Sequence, residues 1–243
     1  MPPEVRWLGF LHRHATPLQV LLAFALYSQL AVLGGIASAP GVYLVCVVWQ
    51  ATASWAFPLR VLLGCCLGWG AYFSYAICVI VVVGVFRIAT RAATPLGTFS
   101  YHSFHAFQWA RYNALILLVR YTCINFLRLT PFITLFHRLM GMTLGRRVQI
   151  NTAIIGDSNL IEIGDDTVIG GDVTLVGHMA ENGWLVTAPV KIGRRVTVGL
   201  MAVIFPGVTI GDGATIAANA ILTKGTRVGA GEVWGGVPAK RIR

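Results

Sequence analysis

The sequence predicts a mixed fold, with transmembrane and interfacial α-helices in the amino-terminal half and a parallel β-helix in the carboxy-terminal half. Two observations carry this. Ile192, Val198, Ile204, Ile210, Ile216, Leu222, Val228 and Trp234 place an aliphatic or aromatic residue at every sixth position. A six-residue period fits neither the helical turn nor a sustained strand alternation, so it describes short strands joined by corners. Charge is also divided between the halves. From Leu18 to Phe86 the chain has one charged residue, Arg60, whereas from Asp157 onward it has eight acidic and eight basic residues. The organisation expected is membrane helices over residues 1–93, an interfacial helical linker over 94–143 and the β-helix over 144–243.

The polar leader, with Arg6, His12, Arg13 and His14, precedes three apolar stretches: Leu18 to about Ser38, Gly41 to Phe57, and Val61 to Phe86. A bilayer core is crossed by roughly 20 helical residues, so about three spans are expected. Arg60 belongs near an interface, because an arginine at the bilayer centre costs on the order of 2.5–3.5 kcal/mol. Arginines flank the set on both sides (Arg6 and Arg13, then Arg87 and Arg91), and the positive-inside rule favours an even number of crossings. The middle stretch is therefore open to a re-entrant or interfacial reading. From Thr94 to Leu144, aromatic residues alternate with apolar runs punctuated by Arg111, Arg120, Arg128 and Arg138. That spacing suits helices lying at headgroup depth or a packed helical linker.

The net charge of +10 arises largely from arginines bracketing apolar segments. Anionic lipid, rather than nucleic acid, is the partner this pattern implies. Five cysteines lie in the apolar half without a metal-binding spacing, and read as packing residues.

In the repeat, Gly follows the marked residue at Gly193, Gly199, Gly211, Gly229 and Gly235, and small residues such as Ala202, Ala214 and Ala220 recur four places on to fill the interior. An earlier block (Leu144, Ile150, Ile155, Ile163, Ile169, Leu175) is irregular around Asp157 to Glu162, which predicts a corner insertion. Val176 to Lys191 then interrupts the strands with a polar excursion, Gly177 to Trp184. A loop projecting from a rigid coil is where function tends to sit.

With its terminal Gly236-Val237-Pro238-Ala239-Lys240, the repeat resembles the left-handed β-helix of hexapeptide-repeat acyltransferases. The lead-in, Thr130-Pro131-Phe132, Arg138-Leu139-Met140-Gly141 and Leu144-Gly145-Arg146-Arg147-Val148, is similar to one unit of the carboxy-terminal part of ε-poly-lysine synthetases, without their adenylation or carrier regions. The resemblance implies a membrane-anchored acyltransferase. Its donor would be a coenzyme A or carrier-protein thioester, and its acceptor a small-molecule, lipid-linked, peptidyl or saccharide amine or hydroxyl. It also implies a homotrimer with sites between neighbouring coils. A non-catalytic, trimeric membrane-anchored assembly module is the competing expectation.

His178 is the only histidine after His137. Acyl transfer to an amine or hydroxyl needs a base, and an imidazole suits that task. Glu181 and Asp172 are equal candidates to orient it, and Trp184 is a candidate wall of the acceptor pocket. For the donor, the resemblance implies main-chain contacts at Gly199, Ala217 and Ala218, with Lys224 and Lys240 meeting the phosphates. No Ser-nucleophile or nucleotide-binding motif occurs, so direct transfer is expected. The lone His178 does not supply a three-histidine zinc site, and no metal is expected. The β-helix is expected on the cytoplasmic side, where coenzyme A thioesters are made.

Overall fold

The computed structural model describes residues 3–243, with side chains from Val20 onward. The side chains of the Arg6, His12, Arg13 and His14 leader lie outside that set. Two long helices, not three, make up the apolar half: α1, Pro3–Ala51, and α2, Phe57–Thr90. The first two apolar stretches are one helix, because Ala39-Pro40-Gly41 does not break it. Opposite this point Gly41 lies so close to α2 that a Cβ there would stand 2.9 Å from the Ala71 Cα. Small residues that let two helix backbones touch are the usual means of packing apolar helices in lipid. Both helices are long and apolar enough to cross a membrane. At the turn between them the Arg60 guanidinium lies 4.4 Å from the Trp49 ring centroid and donates to the Trp49 carbonyl. The expected interfacial arginine therefore sits at a helix end.

The following segment is α3 (Phe104–Thr122), the short α4 (Ile124–Leu127) and α5 (Pro131–Leu139). Ser103 caps α3 by accepting from the Ala106 N–H, and Thr130 caps α5 by accepting from the Phe132 N–H, with Pro131 in the first turn, where its missing donor costs nothing. α3 lies along α2. The Arg111 guanidinium sits over the Phe86 ring near one end, and at the other the Tyr72 hydroxyl donates to the Thr122 carbonyl at 2.8 Å. α5 packs where α2 has Gly84, against which Leu139 is pressed. Tyr112, Leu115, Ile116, Val119, Ile133 and Phe136 are buried. The linker is thus a packed layer joining the apolar helices to the coil.

The β-helix has three parallel sheets. One runs through Thr143–Leu144, Ile161–Ile163, Val190–Ile192, Thr209–Ile210 and Arg227–Val228. The second stacks Gln149–Ile150, Val168–Ile169, Thr197–Val198, Thr215–Ile216 and Val233–Gly235. The third stacks Thr174–Leu175, Val203–Ile204 and Ile221–Leu222, and Ile155 bridges to Leu175 below them. The residues marked at every sixth position from Ile192 to Val228 are buried, as are Val196, Ala202, Val208, Ala214 and Ala220. Stacked corners require glycine at Gly199, where a Cβ would stand 2.5 Å from the Ala218 nitrogen of the next coil.

The polar excursion is an antiparallel hairpin, His178–Glu181 with Trp184–Thr187. Its outer strand pairs with Gly97–Ser100, which the linker contributes. The hairpin therefore belongs to both halves of the chain. Replacing Gly199 with Val should overpack the corner and lower stability by about 1–3 kcal/mol. Thermal unfolding of the purified variant checks this, and an unchanged midpoint would contradict the stacking described.

Candidate active site

The third sheet returns to the first through one corner of the coil, and the chain uses this corner differently at each level. In the first coil Asp157 enters it in the left-handed region at φ 51°, followed by a 3₁₀ turn over Ser158–Leu160. One coil later the same corner holds Gly177 and the root of the hairpin, which begins at His178. Asp157 and His178 are therefore stacked neighbours although 21 positions apart.

The Asp157 carboxylate is fully buried and every direction around it is filled. Oδ1 accepts from the Thr94 hydroxyl and from Asn113 Nδ2, each at 2.8 Å. Oδ2 accepts from the Gly177 N–H at 3.1 Å and is hydrogen-bonded to His178 Nδ1. Asn113 also accepts the Asp157 backbone N–H through its own Oδ1, so one amide side chain grips the residue twice. Around this core the Asn159 side chain pairs with both backbone groups of Thr94. The buried Tyr112 hydroxyl accepts the Asn159 N–H and donates to the Met140 carbonyl. Burial alone would raise the Asp157 carboxyl. The hydrogen bond and charge of His178, followed by the hydrogen bonds of Asn113 and Thr94, outweigh it and hold the carboxyl below its ordinary value.

A carboxylate at Nδ1 fixes the neutral imidazole with its proton on that nitrogen and leaves the Nε2 lone pair as the base. It also opposes the charge that appears when the ring takes a proton. The His178 side chain is 27% exposed, so the ring is reached from solvent while its partner is not. The Trp109 ring of α3 meets it edge to face at 4.9 Å between centroids. The Trp109 indole nitrogen is buried with no hydrogen-bond partner among the described residues.

The structure separates the other residues singled out in the sequence. Glu181 and Asp172, expected to orient the imidazole, are engaged elsewhere. Glu181 pairs with Lys224 at 2.6 Å and Asp172 with Arg128 at 2.7 Å. Asp157 takes the orienting position instead, because a full coil brings it beneath the hairpin root whereas Glu181 points along the hairpin to its far end. Trp184, expected to wall the acceptor pocket, pairs across the strands with Glu181 beside the turn and is half exposed, while His178 pairs with Thr187. The aromatic residue against His178 is Trp109. Gly199, Ala217 and Ala218 stack at one corner, on the opposite edge of the third sheet from the His178 corner. Lys224 ties the hairpin tip to the coil through Glu181, and Lys240 lies exposed in the terminal strand Lys240–Arg241. Asp157, Asn113, Thr94 and Trp109 were missed. The available signal was the broken spacing around Asp157, which marked a special corner without naming its partner.

A family model described as the hexapeptide repeat of succinyl-transferase matches residues 189–224. Galactoside O-acetyltransferase of Escherichia coli is 38% identical over 108 residues, covering 41% of this chain and 52% of that protein. YvoF of Bacillus subtilis, which carries an acetyltransferase name, is 31% identical over 126 residues, 49% of this chain and 72% of that one. Delta-poly-L-ornithine synthetase of Acinetobacter baumannii is 27% identical over 116 residues, 48% of this chain and 9% of that one. With its coil, its corner histidine and these relatives together, the chain belongs to the hexapeptide-repeat acetyltransferase family. It spans about half the length of the first curated relatives it matches.

The depressed Asp157 carboxyl has a pH signature. A group whose folded value lies below its unfolded one contributes stability that is complete above the unfolded value and is lost as pH falls through the folded one. Asp157→Asn should therefore lower the melting temperature at pH 7 and flatten the acid dependence of stability below about pH 4. Identical acid slopes in thermal melts of the two proteins would contradict the network.

Proposed function

We propose that this chain moves an acyl group from a thioester donor directly to an amine or hydroxyl acceptor at a membrane surface. The observation that carries the reading is the His178–Asp157 pair, a solvent-reached imidazole whose Nδ1 is held by a buried carboxylate. In this mechanism Nε2 removes the proton of the acceptor hydroxyl or amine as its oxygen or nitrogen attacks the thioester carbonyl. The C–S bond then breaks, the thiolate leaves with the proton carried by His178, and Asp157 opposes the transient positive charge. No covalent acyl-enzyme forms.

Coenzyme A is the donor proposed, supported by family membership and by the small-residue corner at Gly199, Ala217 and Ala218, where a pantetheine arm can approach the backbone; a carrier-protein thioester would present the same arm. Lys240 remains a candidate for its phosphates, whereas Lys224 is already paired to Glu181. The His178 ring is reached from solvent, and family membership supports a homotrimer in which a neighbouring coil completes the donor groove.

α1 and α2 anchor the protein as two crossings, in keeping with the even number that the flanking arginines favour. The β-helix then faces the cytoplasm together with Arg87, Arg91 and the leader. In this reading residues 1–93 are the anchor, 94–143 the packed connection and 144–243 the catalytic coil.

His178→Gln should lower turnover by roughly 10²- to 10⁴-fold in protein that remains folded. Coenzyme A release, followed with a thiol reagent in the presence of acetyl-coenzyme A and an acceptor panel, makes the measurement; wild-type turnover in the variant would remove His178 from the mechanism. Native mass spectrometry in detergent should show three chains per particle, and an active monomer would contradict the shared groove.

A further inference from the structure

Between α1 and α3 lies a half-open groove of about 400 Å³, floored by Ala23, Leu26, Leu30, Ala114 and Leu118, with Leu117 and Tyr121 on its rim. A volume of this size is that of a small-ligand site, about 300–1,000 Å³. A second, smaller concavity of about 60 Å³ lies where Thr90, Arg91 and Ala92 end α2 against Gln108 and Arg111 of α3. The two are successive on one helix face. Residues 108, 111, 114, 118 and 121 follow one another at intervals of three or four, so they form a single stripe along α3. The stripe is cationic at the end beside the α2 carboxy terminus and apolar along α1.

Neither Arg91 nor Arg111 has an acidic partner among the described residues. The C-terminal dipole of α2 accounts for one cation at this point but not for two arginines lining one concavity. Two arginines, one of them a helical turn along α3 from the apolar trough, match an amphiphile with a phosphate head, held by charge-assisted hydrogen bonds, and an alkyl chain lying along α1.

We infer that the α1–α3 stripe binds one long-chain alkyl phosphate, the lipid carrier of the acceptor. This rests on the acyl-transfer reading and narrows its acceptor to the lipid-linked class. α3 connects the two sites. Trp109 and Asn113 meet His178 and Asp157, while Arg111 and Ala114, adjacent to Asn113 in sequence, face the stripe. The width of a helix, about 10 Å, separates the two sides. The reacting hydroxyl or amine then belongs to a group attached beyond the phosphate, long enough to reach around α3.

Dodecyl phosphate titrated into the purified full chain, with adducts counted by native mass spectrometry, tests the site without requiring turnover. The expected result is one dodecyl phosphate per chain, weakened at least tenfold by Arg91→Gln with Arg111→Gln, and at least tenfold by Leu117→Trp. The last variant fills the groove from its exposed rim and leaves the packed floor intact; Tyr121→Trp, also on the rim, is the second variant if the first fails to fold. Dodecanol and inorganic phosphate should each bind at least tenfold more weakly than dodecyl phosphate. Equal binding to wild type and variants would overturn the site, as would dodecanol matching dodecyl phosphate, or inorganic phosphate matching it. His178→Gln should bind as the wild type does. A chain that binds dodecyl phosphate in this pattern yet releases no coenzyme A with any acceptor would refute acyl transfer while leaving the lipid site standing.

Discussion

The Asp157 carboxylate joins three parts of the chain that are distant in sequence. Thr94 comes from the segment leaving α2, Asn113 from α3, and Gly177 and His178 from the next coil. A buried carboxylate is costly unless its lone pairs are filled, and here both oxygens are filled by donors from separate elements. Losing one donor leaves a charge uncompensated in the interior, so the network is expected to form or fail as a unit. Asp157 enters the corner in the left-handed region, and Asn113 satisfies both its backbone N–H and its side chain.

This arrangement makes the linker part of the site. A β-helix can stand by stacking its own coils, each resting on the one below. The hairpin cannot, because its outer strand pairs with Gly97–Ser100 and its root is fixed by a carboxylate that α3 holds. Tyr112 extends the same connection by linking the Asn159 backbone to the Met140 carbonyl at the end of α5. Trp109 then places an aromatic edge against the imidazole. The segment that packs on α2 thus positions the imidazole.

What was legible in the sequence follows from the range of each interaction. The sixfold period is local, so the coil from Ile192 onward could be read residue by residue, and His178 could be found because it is alone in a polar excursion. Asp157 could not be chosen over Glu181 or Asp172, because its proximity to His178 depends on the length of a coil that includes an irregular corner. Glu181 is nearer in sequence, but strand geometry carries it away along the hairpin to Lys224. The count of apolar helices failed between Ser38 and Gly41, where α1 runs on as one helix and Gly41 meets Ala71 of α2, a contact that no local pattern contains.

In the proposed mechanism Asp157 holds the neutral His178 ring with its proton on Nδ1 and its lone pair on Nε2. Nitrogen-15 NMR of histidine-labelled protein, with the His178 signals assigned by their loss in His178→Gln, reads the protonation of each ring nitrogen directly. The expected result is a single Nδ1–H tautomer in the neutral ring, strongly hydrogen-bonded, that gives way to a tautomer mixture in Asp157→Asn. A neutral ring protonated at Nε2 in the wild type, or a tautomer indifferent to Asp157→Asn, would contradict it.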